Sequence, residues 1–155
     1  MKYLVLVSHG GLAEGLKSSL AMFAGDKIDQ VIAVGLKEGK SVDDFAHDFG
    51  QALAPLTDED SVLVLADIVG GSPLTTAATV LEEQGKLSTA LILGGMNLTM
   101  ALTAMNLTMA LTAVVMKDMM EGADLAQVIL SEASTALQEF ALASVEGDDE
   151  EDDDI

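Results

Sequence analysis

Short aliphatic runs alternate with helix-patterned segments along most of this chain, and that alternation limits the fold more than any other feature. Tyr3 to Val7 reads as strand 1, Gln30 to Gly35 as strand 2, Ser61 to Asp67 as strand 3 and Leu87 to Gly95 as strand 4. Strands 1, 3 and 4 are nearly continuous aliphatic runs, which fits strands covered on both faces. Between them lie segments with apolar residues at helical spacing. Helix 1 is expected over about Gly11 to Ala24, with Leu12, Leu16, Leu20 and Phe23 on one face. Helix 2 starts after Ser41 as N-cap, with Asp44 in its first turn. Ser72-Pro73 opens helix 3, serine as its cap and proline at the first helical position, with Leu74, Ala77, Ala78 and Leu81 facing inward. Two more helices are expected, about Asn97 to Lys117 and Asp124 to Ala143. The last carries Leu125, Val128, Ile129, Ala136, Leu137 and Phe140 on one stripe.

Strands interleaved with helices pair in parallel through right-handed crossovers. The expected fold is therefore α/β: an open, doubly wound, mainly parallel sheet of four or five strands with helices on both faces. In such sheets ligands bind outside the carboxyl ends of the strands, near the switch in strand order. Two chemically notable strand tips fall there. "VSHGG" ends strand 1 at His9, and "ADIVGGSP" ends strand 3 at Asp67.

At the second tip, Gly70 and Gly71 allow a tight turn and close approach of the backbone to a ligand. Ser72 then opens a helix whose free N–H groups suit an anion. Asp67 can accept a hydrogen bond from one imidazole nitrogen and so leave the other as a nucleophile. A plain strand-to-helix turn accounts for "GGSP" by itself. Its conjunction with His9 favours a nucleophilic histidine, an orienting carboxylate and a phosphate cradle formed by Gly70, Gly71 and Ser72.

Charge removes several function classes. The chain has 26 acidic residues against seven basic ones, all lysine, with a formal net charge of −19. Nucleic-acid binding relies on Lys/Arg contacts to phosphate, so nucleic acid is not an expected partner. With no arginine there is no bidentate guanidinium clamp. The acidic surface favours a basic partner. Eight acids lie between Glu146 and Asp154, and residues 146–155 read as a disordered, solvated tail after a domain spanning 1–145. Cysteine is absent, no apolar run reaches the roughly 20 residues of a membrane span, and the N-terminus enters a strand without a signal-peptide pattern. The expected location is cytoplasmic.

Other motifs point to structure. "GLKEGKS" (Gly35 to Ser41) lies between a strand and a helix like a P-loop, but has three residues between its glycines where a P-loop has four. It is read as a turn with an N-cap. The "SHG" triplet shares its histidine and glycine with histidine phosphatases, which surround phosphate with arginines absent here. His47, among Asp43, Asp44 and Asp48, reads as a solvated helix residue. Two histidines without cysteine make a poor metal set, so neither metal nor cofactor is expected. "MNLTMALTA" occurs at 96–104 and again, letter for letter, at 105–113. Nine residues are two and a half helical turns, so equivalent positions should face opposite ways. The repeat reads as a local duplication, absorbed as a longer helix or a bulged loop. Seven of the nine methionines lie between Met96 and Met120, mostly as adaptable packing.

Taken together, "VLVSHGGLAEGL", "ADIVGGSP" and "GGMN" (Gly94 to Asn97) resemble the IIA component of the mannose family of the bacterial sugar phosphotransferase system. The resemblance runs over about Met1 to Ala143. It implies that His9 carries a phosphoryl group on Nε2, that Asp67 orients the ring through Nδ1, and that Gly70, Gly71 and Ser72 line the phosphate site. It further implies phosphotransferase activity. The donor would be the histidine-containing phosphocarrier protein and the acceptor a histidine of a IIB component. A homodimer is implied, with a further strand near the subunit interface, and contact with the membrane only through the IIC/IID sugar permease. The chain departs from the family at Leu74 and Thr75, where asparagine is common, and at Thr99 and Thr108, where proline is. The lack of arginine suits a site that must release phosphate, the partner supplying positive charge during transfer. Two alternatives stand beside it: a flavodoxin-like binding or regulatory module using the same switch point, and the IIA-like domain that serves dihydroxyacetone kinase, which would share His9 and Asp67.

Overall fold

The computed structural model describes residues 1–113 and 123–138, with side chains placed outside 107–113. Its strands are β1 (Lys2–His9), β2 (Val31–Leu36), β3 (Ser61–Ala66) and β4 (Ala90–Gly94). Its helices are α1 (Leu12–Ala24), α2 (Val42–Leu53), α3 (Ser72–Glu83), α4 (Leu98–Ala113) and α5 (Ala123–Thr135). The sheet order is β2-β1-β3-β4, every pair parallel. The expected doubly wound sheet is thus present, with four strands among the described residues.

Side-chain alternation along the two central strands divides the core into two layers. Leu4 and Leu6 of β1 and Leu63 and Leu65 of β3 pack with α1, α4 and α5. Val5 and Val7, with Val62, Val64 and Ala66, pack with α2 and α3. Each of these leucines and valines is almost fully buried. Such burial stabilises by about 1.5–3 kcal/mol per side chain.

The helices correct the expected faces in detail. The inner stripe of α1 is Ala13, Leu16, Leu20 and Ala24. Leu12 and Phe23 turn outward, 47% and 63% exposed. From Leu20 the stripe takes the four-residue step to Ala24, and Phe23 falls about 100° away. On α3 the buried residues are Pro73, Ala77, Val80 and Leu81, with Leu74 and Ala78 only half-buried. Strand 4 is shorter than expected, because Leu87–Thr89 forms a single 3₁₀ turn before it. On α5 the stripe is Leu125, Ile129 and Ala133, with Val128 half-buried. Ala136 and Leu137 lie beyond its end and are exposed. Phe140 and the acidic tail lie outside the described residues.

The duplicated segment forms one helix. Asn97 caps α4 by accepting the Met100 N–H at 2.8 Å on its side chain and the Ala101 N–H at 2.9 Å on its carbonyl. Its counterpart Asn106 lies inside the helix and is exposed. Met96 and Met105 do not face opposite ways as expected, since both are buried. Met96 precedes the helix, so the helical angle does not relate the two.

Candidate functional site

Helix α1 leads from β1 out to β2, whereas α3 leads from β3 the other way to β4. The connections therefore diverge between β1 and β3, at whose carboxyl ends His9 and Asp67 lie. Val7 stands opposite Ala66 in the register, so the next residues of both strands meet at the sheet edge. His9 shares the face of Val5 and Val7, toward the layer of α2 and α3. Gly10, at φ 57, turns the chain away, and its N–H still bonds the Leu36 carbonyl at 2.8 Å.

Asp67 binds His9 twice. Its Oδ2 accepts the backbone N–H of His9 at 2.8 Å and lies 3.0 Å from His9 Nδ1. Oδ1 accepts the Ile68 N–H at 2.9 Å. The side chain of Asp67 is 12% exposed and that of His9 44%. Partial burial pushes the Asp67 carboxyl upward. The hydrogen bonds from the His9 backbone, the His9 ring and the Ile68 N–H outweigh it and hold the group below the usual 3.8. An ionised carboxylate only accepts, so Nδ1 carries a proton, and the neutral ring has its lone pair on Nε2.

The glycine turn closes against the ring. Gly70 has φ 76, a conformation that glycine alone adopts freely. Gly71 is constrained by space: a Cβ there would stand 2.9 Å from His9 Cε1 and would displace the ring. One expectation is corrected here. Gly71, with φ −70 and ψ 159, is the N-cap of α3, and Ser72 is its first helical residue. Ser72 therefore makes no side-chain capping bond. Its hydroxyl stands exposed at the helix start, beside the backbone N–H groups of Ser72 and Leu74 that a first turn leaves unpaired. Pro73 contributes no donor. The Thr75 hydroxyl donates to the Gly71 and Ser72 carbonyls at 3.2 and 3.3 Å and tightens that turn.

The five residues expected at the site thus converge, and His47 does not join them. It lies on α2, in a groove against Val80, Glu83 and Gln84 of the α3 end. The lysines of "GLKEGKS" are engaged elsewhere: Lys37 pairs with Glu14 at 2.6 Å and Lys40 with Asp48 at 3.3 Å. Ser41 caps α2 as expected, its Oγ accepting the Asp44 N–H at 3.0 Å. Among the described residues no cluster of His, Cys, Asp and Glu is suited to a metal.

Two supporting residues were not read from the sequence. Ser8 is fully buried, and its Oγ accepts the Ala13 N–H at 2.8 Å, tying the strand tip to α1. A serine at the end of an aliphatic run was the available signal. Gly35 on β2 lets the Gly10 carbonyl approach so closely that any Cβ there would collide with it. That approach is not visible in sequence.

Fold and site together define a doubly wound α/β protein with an exposed imidazole held by a carboxylate at the switch point. The family model described as PTS system fructose IIA component matches residues 3–129, and the chain belongs to that family. It is 32% identical over 94 residues to the PTS system fructose-specific EIIA component of Bacillus subtilis (strain 168). That match covers 61% of this chain and 62% of the relative, less than two thirds of its length. The mannose/sorbose-specific IIA subunit of the phosphotransferase system from Enterococcus faecalis is similar with a TM-score of 0.62 and 26% identity, over 94% of this chain and 99% of that one. Phosphotransferase system component EIIA from Streptococcus agalactiae shares the fold with a TM-score of 0.66 and 24% identity, over 90% of this chain and 97% of that one.

Proposed function

We propose that this chain is a phosphoryl-relay protein of sugar uptake, with His9 as the carrier. Nε2 of His9 attacks the phosphorus of the phosphohistidine on the phosphocarrier protein. A new P–N bond forms as the donor's P–N bond breaks, and the donor imidazole leaves with the electron pair. The ring of His9 is then cationic, and its Nδ1–H is held by the Asp67 carboxylate. The phosphoryl oxygens meet the N-terminus of α3 at Gly70, Gly71 and Ser72. The reverse attack, by a histidine of a IIB component, empties the site.

The observation that carries this reading is the 3.0 Å approach of His9 Nδ1 to Asp67 Oδ2 beside a helix N-terminus. Membership of the IIA family supports it. The charge of −19 suits a basic donor, which brings the positive charge that this arginine-free site lacks. We read residues 1–145 as the IIA domain and 146–155 as a solvated tail. The working form is a cytoplasmic homodimer that reaches the membrane only through its permease partners. No helix among the described residues is long and apolar enough to cross a membrane.

The test is labelling with phosphoenolpyruvate, enzyme I and the phosphocarrier protein, followed by phosphopeptide mapping. One acid-labile, base-stable phosphate is expected on His9. His9→Ala abolishes it and His47→Ala leaves it unchanged. Phosphate on His47 or on an aspartate, or labelling that survives in His9→Ala, overturns the relay and puts a binding module in its place.

A further inference from the structure

We infer that Gly94, at the tip of β4, is a positioning residue for His9 that acts through Val69. Gly94 stands opposite Ala66 in the sheet, one residue before Asp67. The loop after β3 folds back across that tip. A Cβ on Gly94 would overlap Val69 Cγ2 and stand 3.2 and 3.3 Å from the Val69 N and Cα. The exclusion is steric, since Gly94 has an ordinary backbone conformation while its neighbour Gly95 has φ 84. Core packing does not explain it either, because Val69 is 76% exposed. The requirement is room at the β4 tip for Val69, first its Cγ2 methyl and then its backbone.

The loop has no slack to absorb a displaced Val69. Upstream, the Ile68 N–H is held by Asp67 Oδ1 at 2.9 Å. Downstream, the Gly71 N–H bonds the Ile68 carbonyl at 3.3 Å, closing a turn around Val69. The β4 tip is itself fixed, because the Met96 N–H bonds the Ala66 carbonyl at 2.9 Å. Pushing Val69 off Gly94 therefore moves Asp67, which holds the His9 ring, or Gly71, which lies beside it. The hydrogen bonds on either side of Val69 carry the shift along the loop.

The inference rests on the relay reading only for its rate measurement. Gly94→Ala is compared with Gly15→Ala, a control in α1 where a Cβ meets nothing within 4 Å. Two quantities are measured well below the melting temperature: kcat and KM for phosphate uptake from the phosphocarrier protein, and the ring-nitrogen NMR shifts of His9 in the unphosphorylated protein. Gly94→Ala is expected to lower kcat by about tenfold or more, with KM within about twofold, and to move the His9 ring shifts. Adding Val69→Ala removes the overlapping methyl and should bring kcat back to within about threefold of the parent. Gly15→Ala should change neither quantity. Parental kcat and ring shifts in Gly94→Ala, or a loss that Val69→Ala does not restore, overturn the inference. Should Gly94→Ala fail to fold, the double variant decides. Recovery of folding and rate supports Val69 as the displaced group, and a double variant that is unfolded or slow overturns it. A parent chain that takes up no phosphate sinks the relay, while the ring shifts still judge Gly94.

Discussion

One oxygen of Asp67 holds both the backbone and the ring of His9, at 2.8 Å from the backbone nitrogen and 3.0 Å from Nδ1. The other oxygen holds Ile68. A single carboxylate thus sets the end of β1, the rotation of the imidazole and the start of the glycine loop. Asparagine cannot replace it, because one of its two terminal atoms is a donor. Whichever way the amide turns, a backbone N–H or the ring N–H loses its acceptor. Asp67→Asn should stay folded and lose on the order of a hundredfold in the rate of phosphate uptake. Rapid-quench labelling measures this; a loss below about threefold would remove Asp67 from the mechanism.

Gly70 and Gly71 are required for different reasons, and alanine separates them. Gly70→Ala meets open space but must adopt φ 76, which costs about 1–2 kcal/mol of stability. Gly71→Ala keeps an allowed backbone but brings its Cβ to 2.9 Å from His9 Cε1. The expected pattern is a lower melting temperature for Gly70→Ala. For Gly71→Ala it is a near-parental melting temperature with uptake slowed by about tenfold to a hundredfold. The same effect in both variants would show that the turn acts only as a scaffold.

Acid should erase the contribution of Asp67. Its folded-state pKa lies below 3.8, so the stability it adds is complete above that unfolded value and lost as pH falls through the folded one. Glu14 acts in the same direction from 4.5: partial burial pushes it up, but the Lys37 ammonium and nearby backbone N–H groups outweigh that. Falling pH also relieves the repulsion of an acidic chain, which masks the trend in the parent alone. Subtracting Asp67→Asn cancels that background. The difference in unfolding free energy between the two, by urea titration, should be flat above about pH 5 and close below it. A gap that persists to pH 2 would mean that the carboxylate charge adds nothing.

The site was legible because its chemistry sits at strand ends, where an aliphatic run stops at His9 or at Asp67-Ile68-Val69-Gly70-Gly71. The two-layer core was legible because leucines and valines alternate along β1 and β3. What escaped reading was contact between segments distant in sequence. Gly35 against Gly10, Gly94 against Val69 and Ser8 beneath the start of α1 all depend on how neighbouring strands end. The cap of α3 was misplaced by one residue, since serine is the commoner cap but Gly71 has the extended backbone. The face of α1 was misjudged because Ala13 and Ala24 compete with larger residues one position away.

Deleting either copy of "MNLTMALTA" gives the same chain, in which Ala104 is followed directly by the residue now numbered Val114. Among the described residues, the groups seen to tie this region to the site belong to the first copy or precede it. They are Gly94 under Val69, the Met96 N–H on the Ala66 carbonyl, and Asn97 capping α4. The second copy contributes Met105 to the core formed with Leu4, Leu63, Leu125 and Ile129. Deletion puts valine in place of that methionine, a smaller side chain at a site with 1% exposure. A large-to-small change of this size costs roughly 1 kcal/mol, or a few degrees of melting temperature in a chain of this length. The deletion variant should therefore fold cooperatively, melt slightly lower and take up phosphate at the parental rate. Calorimetry and the labelling assay test the two halves. A variant that does not fold would make the added turns of α4 structural, and a folded variant that takes up no phosphate would place part of the site in the second copy.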